Sequence, residues 1–181
     1  MMKLNYYFNL TLVIVFISKK QRMNIRTVKK SDLETIHLLN EAALPHVNSI
    51  PISDFEEFMS MSSFFLVIED IQEIAGFMIV LGPGQAYESE NYRYFSNNYQ
   101  SFNYVDRIVI GGKYRGKGYG SKLYTYLLEH SKEEQVTCEV NLLPPNPKSI
   151  QFHQMLGFEE VAQQYSENGK KYVSLMVRGN L

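Results

Sequence analysis

The sequence predicts an α/β domain, and three observations lead to this prediction. From Met23 onward, short segments with the alternating or β-branched pattern of strands are separated by segments with apolar residues at helical spacings of three and four. The composition is globular, since 45% of the 181 residues are hydrophobic and 20% are charged. Near the middle of the chain, a glycine-rich turn joins a strand to a helix. A chain of this length has enough residues for one domain with a substantial core.

The first half of the domain is predicted as a strand, two helices and a hairpin. Residues 24–28 alternate between apolar and polar side chains, which favours a strand. Ser31 and Glu34 have the spacing of a capping box, so a helix is expected to begin there and to end before Pro45. The other elements expected in this half are a helix over 53–61 and strands over 63–69 and 74–81, with a polar link between the two strands.

The second half begins with a long segment over 82–103 that has no periodic pattern and is rich in Tyr and Phe. Two interpretations stay open: a lid that packs its own aromatic side chains, or a wall that faces a substrate. Asn146 with Pro147 is a helix start, and Gly157 is a helix end. The other elements expected in this half are a strand over 104–110, a helix over 116–130, a strand over 136–142 and a hairpin with strands over 159–165 and 172–177.

Residues 1–22 are interpreted as an N-terminal extension to a domain over 23–181. Residues 10–17 form an apolar run, LTLVIVFI, which is similar to the core of a signal peptide but is not followed by a small-residue cleavage site. The run is also much shorter than the ~20 residues that span a membrane. Three interpretations stay open: a segment upstream of the true start at Met23, an apolar element that packs on the domain, or an uncleaved anchor.

Charge and cysteine content exclude several classes of protein. Lys and Arg total 18 and Asp and Glu total 19, so the net charge of −1 provides no general field for nucleic acid or an anionic membrane. The single cysteine, Cys138, excludes an internal disulfide and a zinc site with several cysteines. No other residue spacing indicates a metal site, and a reducing, cytoplasmic location is expected. A homodimer stays open.

The turn over 111–120 is the strongest chemical motif. A strand, a glycine turn and a helix N-terminus together form a site for an anion such as a diphosphate. Gly118 stands where a Walker loop has Ser or Thr, and Ser121 stands where a dinucleotide-binding loop has its third glycine. The turn instead matches a pattern in which Arg or Gln is followed, three and five residues later, by Gly and by Gly or Ala, here Arg115, Gly118 and Gly120.

This pattern resembles the acyl-CoA pyrophosphate loop of the GNAT superfamily of N-acetyltransferases. The run Asn146-Pro-Lys-Ser-Ile-Gln-Phe-His-Gln-Met-Leu-Gly-Phe158 is similar to a second block of that family. The resemblance is specific over 106–158, where the sequence is most similar to a group of uncharacterised bacterial GNAT proteins. It implies a mixed, mostly antiparallel sheet of about seven strands with helices on both faces. It also implies acetyl-CoA as acetyl donor, with no metal.

The resemblance also implies which residues bind acetyl-CoA. Backbone groups of one strand would hold the pantetheine arm, the glycine turn would hold the pyrophosphate, and one side chain would bond the CoA arm. The strand residues are Ile108, Val109 and Ile110. The residues of the turn are Arg115, Gly116, Lys117, Gly118, Tyr119, Gly120 and Ser121. The side chain that bonds the CoA arm is Asn146.

Two catalytic residues are predicted. Glu139 resembles the strand glutamate that ribosomal-protein N-terminal alanine acetyltransferases use as general base, although the link to Asn146 is longer here. Asp106 on the neighbouring strand is the rival base. His153 stands where the family has the tyrosine that protonates the departing CoA thiolate, and an imidazolium can transfer the same proton. A packing role for His153 and a salt bridge for Glu139 stay open.

The sequence therefore predicts a cytoplasmic acetyl-CoA-dependent N-acetyltransferase that acts on a primary amine of a small molecule by direct attack. Two alternatives stay open. The first is a protein acetyltransferase that modifies an N-terminal amine or a lysine. The second is a non-catalytic acyl-CoA-binding module, which the replacement of the family tyrosine by His153 allows.

Overall fold

The computed structural model describes residues 23–179, so the predicted extension over 1–22 lies outside the described residues. The strands are β1 Met23–Thr27, β2 Phe64–Asp70, β3 Glu73–Leu81, β4 Phe102–Ile110, β5 Gln135–Leu143, β6 Glu159–Ser166 and β7 Lys171–Gly179. The α-helices are α1 Leu33–Glu41, α2 Ile52–Met61, α3 Glu90–Asn98, α4 Tyr119–His130 and α5 Pro147–Met155. Short 3₁₀ turns cover Lys30–Asp32 and Gly112–Tyr114.

The strands form one sheet in the order β1-β2-β3-β4-β5-β7-β6. Neighbouring strands are antiparallel except β4 and β5, which are parallel. Helices α1, α2 and α3 pack on one face of the sheet, where Ile36, Phe55 and Phe95 are fully buried. Helices α4 and α5 pack on the other face, around Leu123 and Leu127. The predicted α/β fold, with a mixed, mostly antiparallel seven-strand sheet and helices on both faces, is confirmed.

Two local predictions were wrong. The segment over 82–103 contains helix α3, which Ser89 caps by accepting a hydrogen bond from the Tyr92 amide at 3.3 Å. Its apolar stripe was too sparse to show a period, because only Tyr92 and Phe95 bury large side chains among polar neighbours. Ser31 does not cap α1 either. It lies in the 3₁₀ turn, and Asp32 accepts the hydrogen bond from the Lys29 amide at 2.7 Å.

Strands β4 and β5 are paired over only part of their length. Their parallel register runs from Phe102 opposite Gln135 to Val105 opposite Cys138, and both strands continue for five more residues without pairing to each other. The separation coincides with a β-bulge, because Val80 pairs with Val105 while Ile79 pairs with Arg107. An irregularity of this kind bends the strand and redirects its side chains. The sheet therefore has a gap between β4 and β5 at its centre.

Within residues 23–179, no helix has the length and apolar character needed to cross a membrane.

Candidate active site

A cavity of about 1200 Å³ occupies the gap between β4 and β5. It reaches from the turn before α4 on one face of the sheet to the segment before α3 and the β6–β7 turn on the other face. The predicted site residues that line it are Asp106, Ile108, Val109, Ile110, Arg115, Gly116, Gly118, Tyr119, Gly120, Ser121, Glu139, Asn146 and His153. Lys117 does not line it, and its ammonium group lies 3.5 Å from the carboxylate of Asp70.

Backbone groups form the walls of the gap. Beyond Val105, β4 pairs with β3 on its far side and has no strand partner on the side toward β5. Beyond Cys138, β5 likewise pairs with β7 only on its far side. An extended ligand with alternating donors and acceptors, such as the two amides of pantetheine, matches these groups as an added strand would.

The turn before α4 is shaped by Gly116 and Gly118, whose φ angles of 75° and 79° lie in the left-handed region that favours glycine. A Cβ atom on either residue would meet nothing within 4 Å, so the turn has free space in front of its backbone. Gly120 has a different role, because a Cβ atom there would lie 3.0 Å from the ring of Phe152. The last glycine of the motif therefore lets α4 and α5 pack closely.

The N-terminus of α4 gives this end of the cavity its positive character. The backbone amides at the start of a helix and the helix dipole attract an anion, and the exposed Arg115 adds a full charge. Lys148 on the first turn of α5 adds another and was not predicted, because the family pattern places no charge there. Asn146 caps α5 through Oδ1, which accepts from the Ser149 amide at 3.3 Å and leaves the side-chain NH₂ group outside the cap. The positive groups fit a diphosphate, and the NH₂ group of Asn146 fits an arm that contains amides.

Glu139 lies in the gap on the α1–α3 face, because it is paired with Leu175 of that core. Its Oε2 atom is buried and has no hydrogen-bond partner among the described residues. Burial and the nearby charge of Asp106 raise the pKa of Glu139 to about 7, and the neighbouring Tyr104 and Asn91 offset this only in part. A carboxyl group with such a pKa gains and loses its proton near neutral pH.

Asp106, the rival base, is already occupied. One carboxylate oxygen accepts from the hydroxyl group of Tyr87 at 2.6 Å, and the other accepts from Nε of Arg107 at 2.9 Å. Arg107 is itself buried and donates to Asn40 at 2.9 Å. Because Asp106 holds a buried ion pair together, the geometry favours Glu139 as the base.

His153 is buried between α4 and α5, and both of its ring nitrogens are engaged. Nδ1 lies 2.8 Å from the backbone oxygen of Ser149, and Nε2 lies 2.8 Å from the hydroxyl oxygen of Tyr124. Burial lowers the pKa of His153. A neutral His153 in this arrangement has no free N–H group facing the cavity. This arrangement does not favour its predicted role as acid.

Sequence reasoning missed Tyr124, Arg107 and Tyr87. Tyr124 lies four residues after Gly120, so both lie on the face of α4 that packs against α5. The spacing of residues on that face, rather than on the face toward the sheet, would have identified Tyr124. The bulge turns Arg107 toward Asn40, and no residue pattern in the strand marks that bulge. Tyr87 was included only in the broad interpretation of 82–103. It supports both interpretations of that segment, since its ring packs on Phe58 and its side chain lines the cavity.

Asn48 joins two segments at the far end of the cavity. From the α1–α2 link, its side-chain nitrogen donates to Glu167 of the β6–β7 turn at 2.8 Å, and Lys171 donates to its side-chain oxygen. Its backbone oxygen accepts from Arg107 at 3.1 Å. The α1–α2 link and the β6–β7 turn thus form one continuous wall, and these residues line the cavity.

Comparison with known proteins identifies the fold. Residues 33–158 match the model of the acetyltransferase (GNAT) family. No curated protein matches the chain in sequence. Solved structures with the same fold include an acetyltransferase from Salmonella typhimurium with its cofactor acetyl-CoA, with a TM-score of 0.66 and 20% identity over 89% of this chain and 95% of that one.

Two further solved structures have the same fold. A variant of spermidine N-acetyltransferase from Vibrio cholerae has a TM-score of 0.64 and 19% identity, covering 88% of this chain and 94% of that one. NAA60 from Arabidopsis thaliana, solved with a bisubstrate analogue, has a TM-score of 0.70 and 17% identity, covering 87% and 97%. At these identities the likeness concerns the fold.

Proposed function

Because the chain belongs to the acetyltransferase (GNAT) family, we propose that it transfers the acetyl group of acetyl-CoA to a primary amine of a small molecule by direct attack. The observation that carries the proposal is the carboxyl group of Glu139 in the gap between β4 and β5, with one oxygen unbonded to any described residue. The glycine turn and the unpaired strand backbones support binding of the donor in that gap. Glu139 would then lie beside the thioester.

Glu139 would act as the general base. An ammonium group cannot attack a thioester until it loses a proton, and a carboxylate with a pKa of about 7 accepts that proton efficiently at neutral pH. Asp106 would not compete, since its oxygens are held by Tyr87 and Arg107. The amine would reach the thioester from the α1–α3 face, where Glu139 lies.

Direct attack is favoured over an acyl-cysteine route. Cys138 also lines the cavity, but burial and the charge of Glu139 raise the pKa of its thiol. The thiolate is the nucleophilic form of cysteine, and these surroundings disfavour it. The proton for the departing CoA thiolate would come from the other face of the gap, where Tyr124 and His153 are hydrogen-bonded to each other.

The wall joined by Asn48 favours a small acceptor over a protein. Its hydrogen bonds to Glu167 and Lys171 join the α1–α2 link to the β6–β7 turn at the far end of the cavity, and a joined wall leaves less room there for an extended chain. A free amino acid, a polyamine or an aminoglycoside fits this arrangement better than a peptide chain.

The test is release of free CoA thiol from acetyl-CoA with a panel of amines: amino acids, spermidine, an aminoglycoside and a peptide with a free N-terminal alanine. We expect release with at least one small amine and less with the peptide. Glu139→Gln should lower kcat on the order of 10²-fold and remove the rise of rate with pH through about 7. Glu134→Gln is the matched control, because Glu134 is exposed and does not line the cavity.

Calorimetric binding of acetyl-CoA without thiol release for any amine would show a binding module instead of an enzyme. An unchanged pH profile in Glu139→Gln would assign the base to another group.

A further inference from the structure

The hydroxyl group of Tyr124 is a buried polar group for which the sequence predicted no role. Tyr124 is fully buried on α4, yet its side chain lines the cavity at the gap between β4 and β5. Its oxygen lies 2.8 Å from Nε2 of His153, and its ring packs edge-on against the rings of His153 and Phe158. The hydroxyl group is therefore held in one place by α5.

The partners of His153 determine which atom carries the proton in this pair. The backbone oxygen of Ser149 can only accept, so Nδ1 of His153 carries a hydrogen and donates to it. In the neutral ring Nε2 is then an acceptor, and Tyr124 donates its hydroxyl hydrogen to it. The proton between the two side chains belongs to Tyr124.

The position of this hydroxyl group relates to the substitution at position 153. The family resemblance places a tyrosine there as the acid, and this chain has His153. An imidazole is shorter than a phenol, and the hydroxyl group of Tyr124 lies next to the outer end of the imidazole. A phenol from α4 thus occupies the space in front of the shortened side chain on α5.

We propose that Tyr124 donates the proton to the departing CoA sulfur and that His153 is a positioning residue that holds the Tyr124 hydroxyl group. This rests on the proposed acetyl transfer. As the amine nitrogen bonds to the acetyl carbon, the C–S bond breaks and its electron pair stays on sulfur. Tyr124 turns its O–H from Nε2 to that sulfur and transfers the proton, which gives CoA thiol. The phenolate regains a proton from solvent as CoA leaves, and the proton of the amine passes from Glu139 to solvent.

The groups around Tyr124 keep the proton on its hydroxyl group until the thiolate forms. The charged or titratable groups that face it are His153 from α5 and Cys138 and Glu139 from β5. Burial raises the pKa of Tyr124 and of Cys138 and lowers the pKa of His153, so all three stay neutral at pH 7. A thiolate formed in the same surroundings is disfavoured for the same reason, so it also binds a proton more tightly than in water. The phenolate left on Tyr124 is disfavoured in turn, which is why it must regain a proton from solvent.

Three variants separate an acid role of Tyr124 from an acid role of His153. Tyr124→Phe keeps the ring and should lower kcat on the order of 10²-fold with little change in KM for acetyl-CoA. His153→Gln keeps an acceptor for the Tyr124 hydroxyl group but has no proton that titrates near neutrality, so most of the activity should remain. The double variant Tyr124→Phe with His153→Tyr returns the phenol to α5 and should recover much of the loss. Tyr126→Phe, which removes a hydroxyl group of α4 outside the cavity, should match the parent.

A second measurement needs no acceptor amine. The thiol of CoA bound to the enzyme can be titrated by the ultraviolet absorbance of its thiolate. A hydrogen bond from Tyr124 stabilises the thiolate, so the thiol pKa should be higher in CoA bound to Tyr124→Phe than in CoA bound to the parent or to Tyr126→Phe.

The outcomes distinguish the two proposals. If parent and Tyr124→Phe give the same bound-thiol pKa and the same kcat, Tyr124 only packs and the inference is overturned while the proposed function stands. Loss of activity in His153→Gln equal to that in Tyr124→Phe, with an unchanged bound-thiol pKa in Tyr124→Phe, would assign the acid role to His153. If the parent binds no acetyl-CoA, the proposed function falls, and this inference falls with it. Should Tyr124→Phe not fold, the pH profile of His153→Gln decides alone. A fall in rate at high pH that the parent shows and His153→Gln lacks would identify His153 as the titrating acid and overturn the proposal, whereas the same profile in both supports it.

Discussion

Glu139 combines a functional requirement with a cost in stability. Its carboxyl group holds a proton more tightly in the folded chain, with a pKa of about 7, than in the unfolded chain, where the ordinary value is 4.5. Between these two values the folded state binds more protons than the unfolded state. The free energy of unfolding therefore falls as pH rises from 4.5 to 7, by at most about 3 kcal/mol from this group.

Replacing this one residue should make the cost measurable. Glu139→Gln cannot ionise, so it should melt at a higher temperature than the parent at about pH 8, and the difference should shrink toward about pH 5. Thermal unfolding followed by circular dichroism at several pH values checks this. A constant difference between variant and parent over that range would mean that the Glu139 carboxyl group titrates normally and is well hydrated.

The candidate site residues predicted from the sequence are those whose proposed roles depend on the neighbouring residues in the chain. The glycine turn and Asn146 act through local backbone geometry, and local spacing is sufficient to identify them. Tyr124 and Arg107 depend on contacts between distant elements, with His153 and with Asn40. The residue order within one element does not encode such contacts, so the Tyr124–His153 pair and the ion pair of Arg107 with Asp106 had to come from the structure.

At the level of elements, the turn between β4 and α4 should determine binding of acetyl-CoA. Gly118→Asp places a negative charge and a Cβ atom in the free space in front of the turn, where the phosphates are expected. The dissociation constant for acetyl-CoA should rise more than tenfold, a loss of at least about 1.4 kcal/mol. Calorimetric titration measures it.

The chain contains a matched control for this variant. Gly84 has the same φ of 79°, its Cβ position is equally open, and it does not line the cavity. Gly84→Asp therefore introduces the same backbone strain and the same charge elsewhere, and should bind acetyl-CoA as the parent does. If both variants bind acetyl-CoA equally weakly, the loss of affinity comes from general destabilisation of the fold and not from a change at the turn.

The wall between the α1–α2 link and the β6–β7 turn should affect only the acceptor end. Asn48→Ala removes the side-chain bonds to Glu167 and Lys171, which are themselves 3.0 Å apart and stay paired. We expect a loss of about 1–2 kcal/mol in stability and a higher KM for the amine. Binding of acetyl-CoA should not change. An equal effect on both ligands, measured by kinetics and calorimetry, would contradict the assignment of this wall to the acceptor.

The fold class was predicted more completely than the details because it depends on the order of elements. The seven strands and helices α1, α2, α4 and α5 were predicted from apolar spacing or from turn motifs, whereas α3 was missed although Ser89 caps it. Helix α3 carries mostly polar side chains, and its buried Tyr92 and Phe95 gain their places only by packing on β4. In a segment as polar as α3, two buried side chains are not enough to show a helical period.

For the whole molecule, we expect that a chain over 23–181 folds and binds acetyl-CoA. β1 begins at Met23, which pairs with Asp70, and all seven strands of the sheet lie within the described residues. Comparing the melting temperature and the acetyl-CoA affinity of this shorter chain with those of the full chain is the test. A loss of more than about 3 kcal/mol would mean that residues 1–22 contribute to the core.

The partial pairing of β4 and β5 also divides the sheet into two groups of strands that can fold separately. The strands on one side of the gap, β1 to β4, come from residues 23–110, and those on the other side, β5 to β7, come from residues 135–179. Each group is continuous in the chain, so each can form from local contacts before the four residue pairs between β4 and β5 join the two groups. A ligand lying in the gap would contact both groups at once. It would therefore couple their unfolding, so that two halves able to open separately in the free protein would unfold as one unit when the ligand is bound.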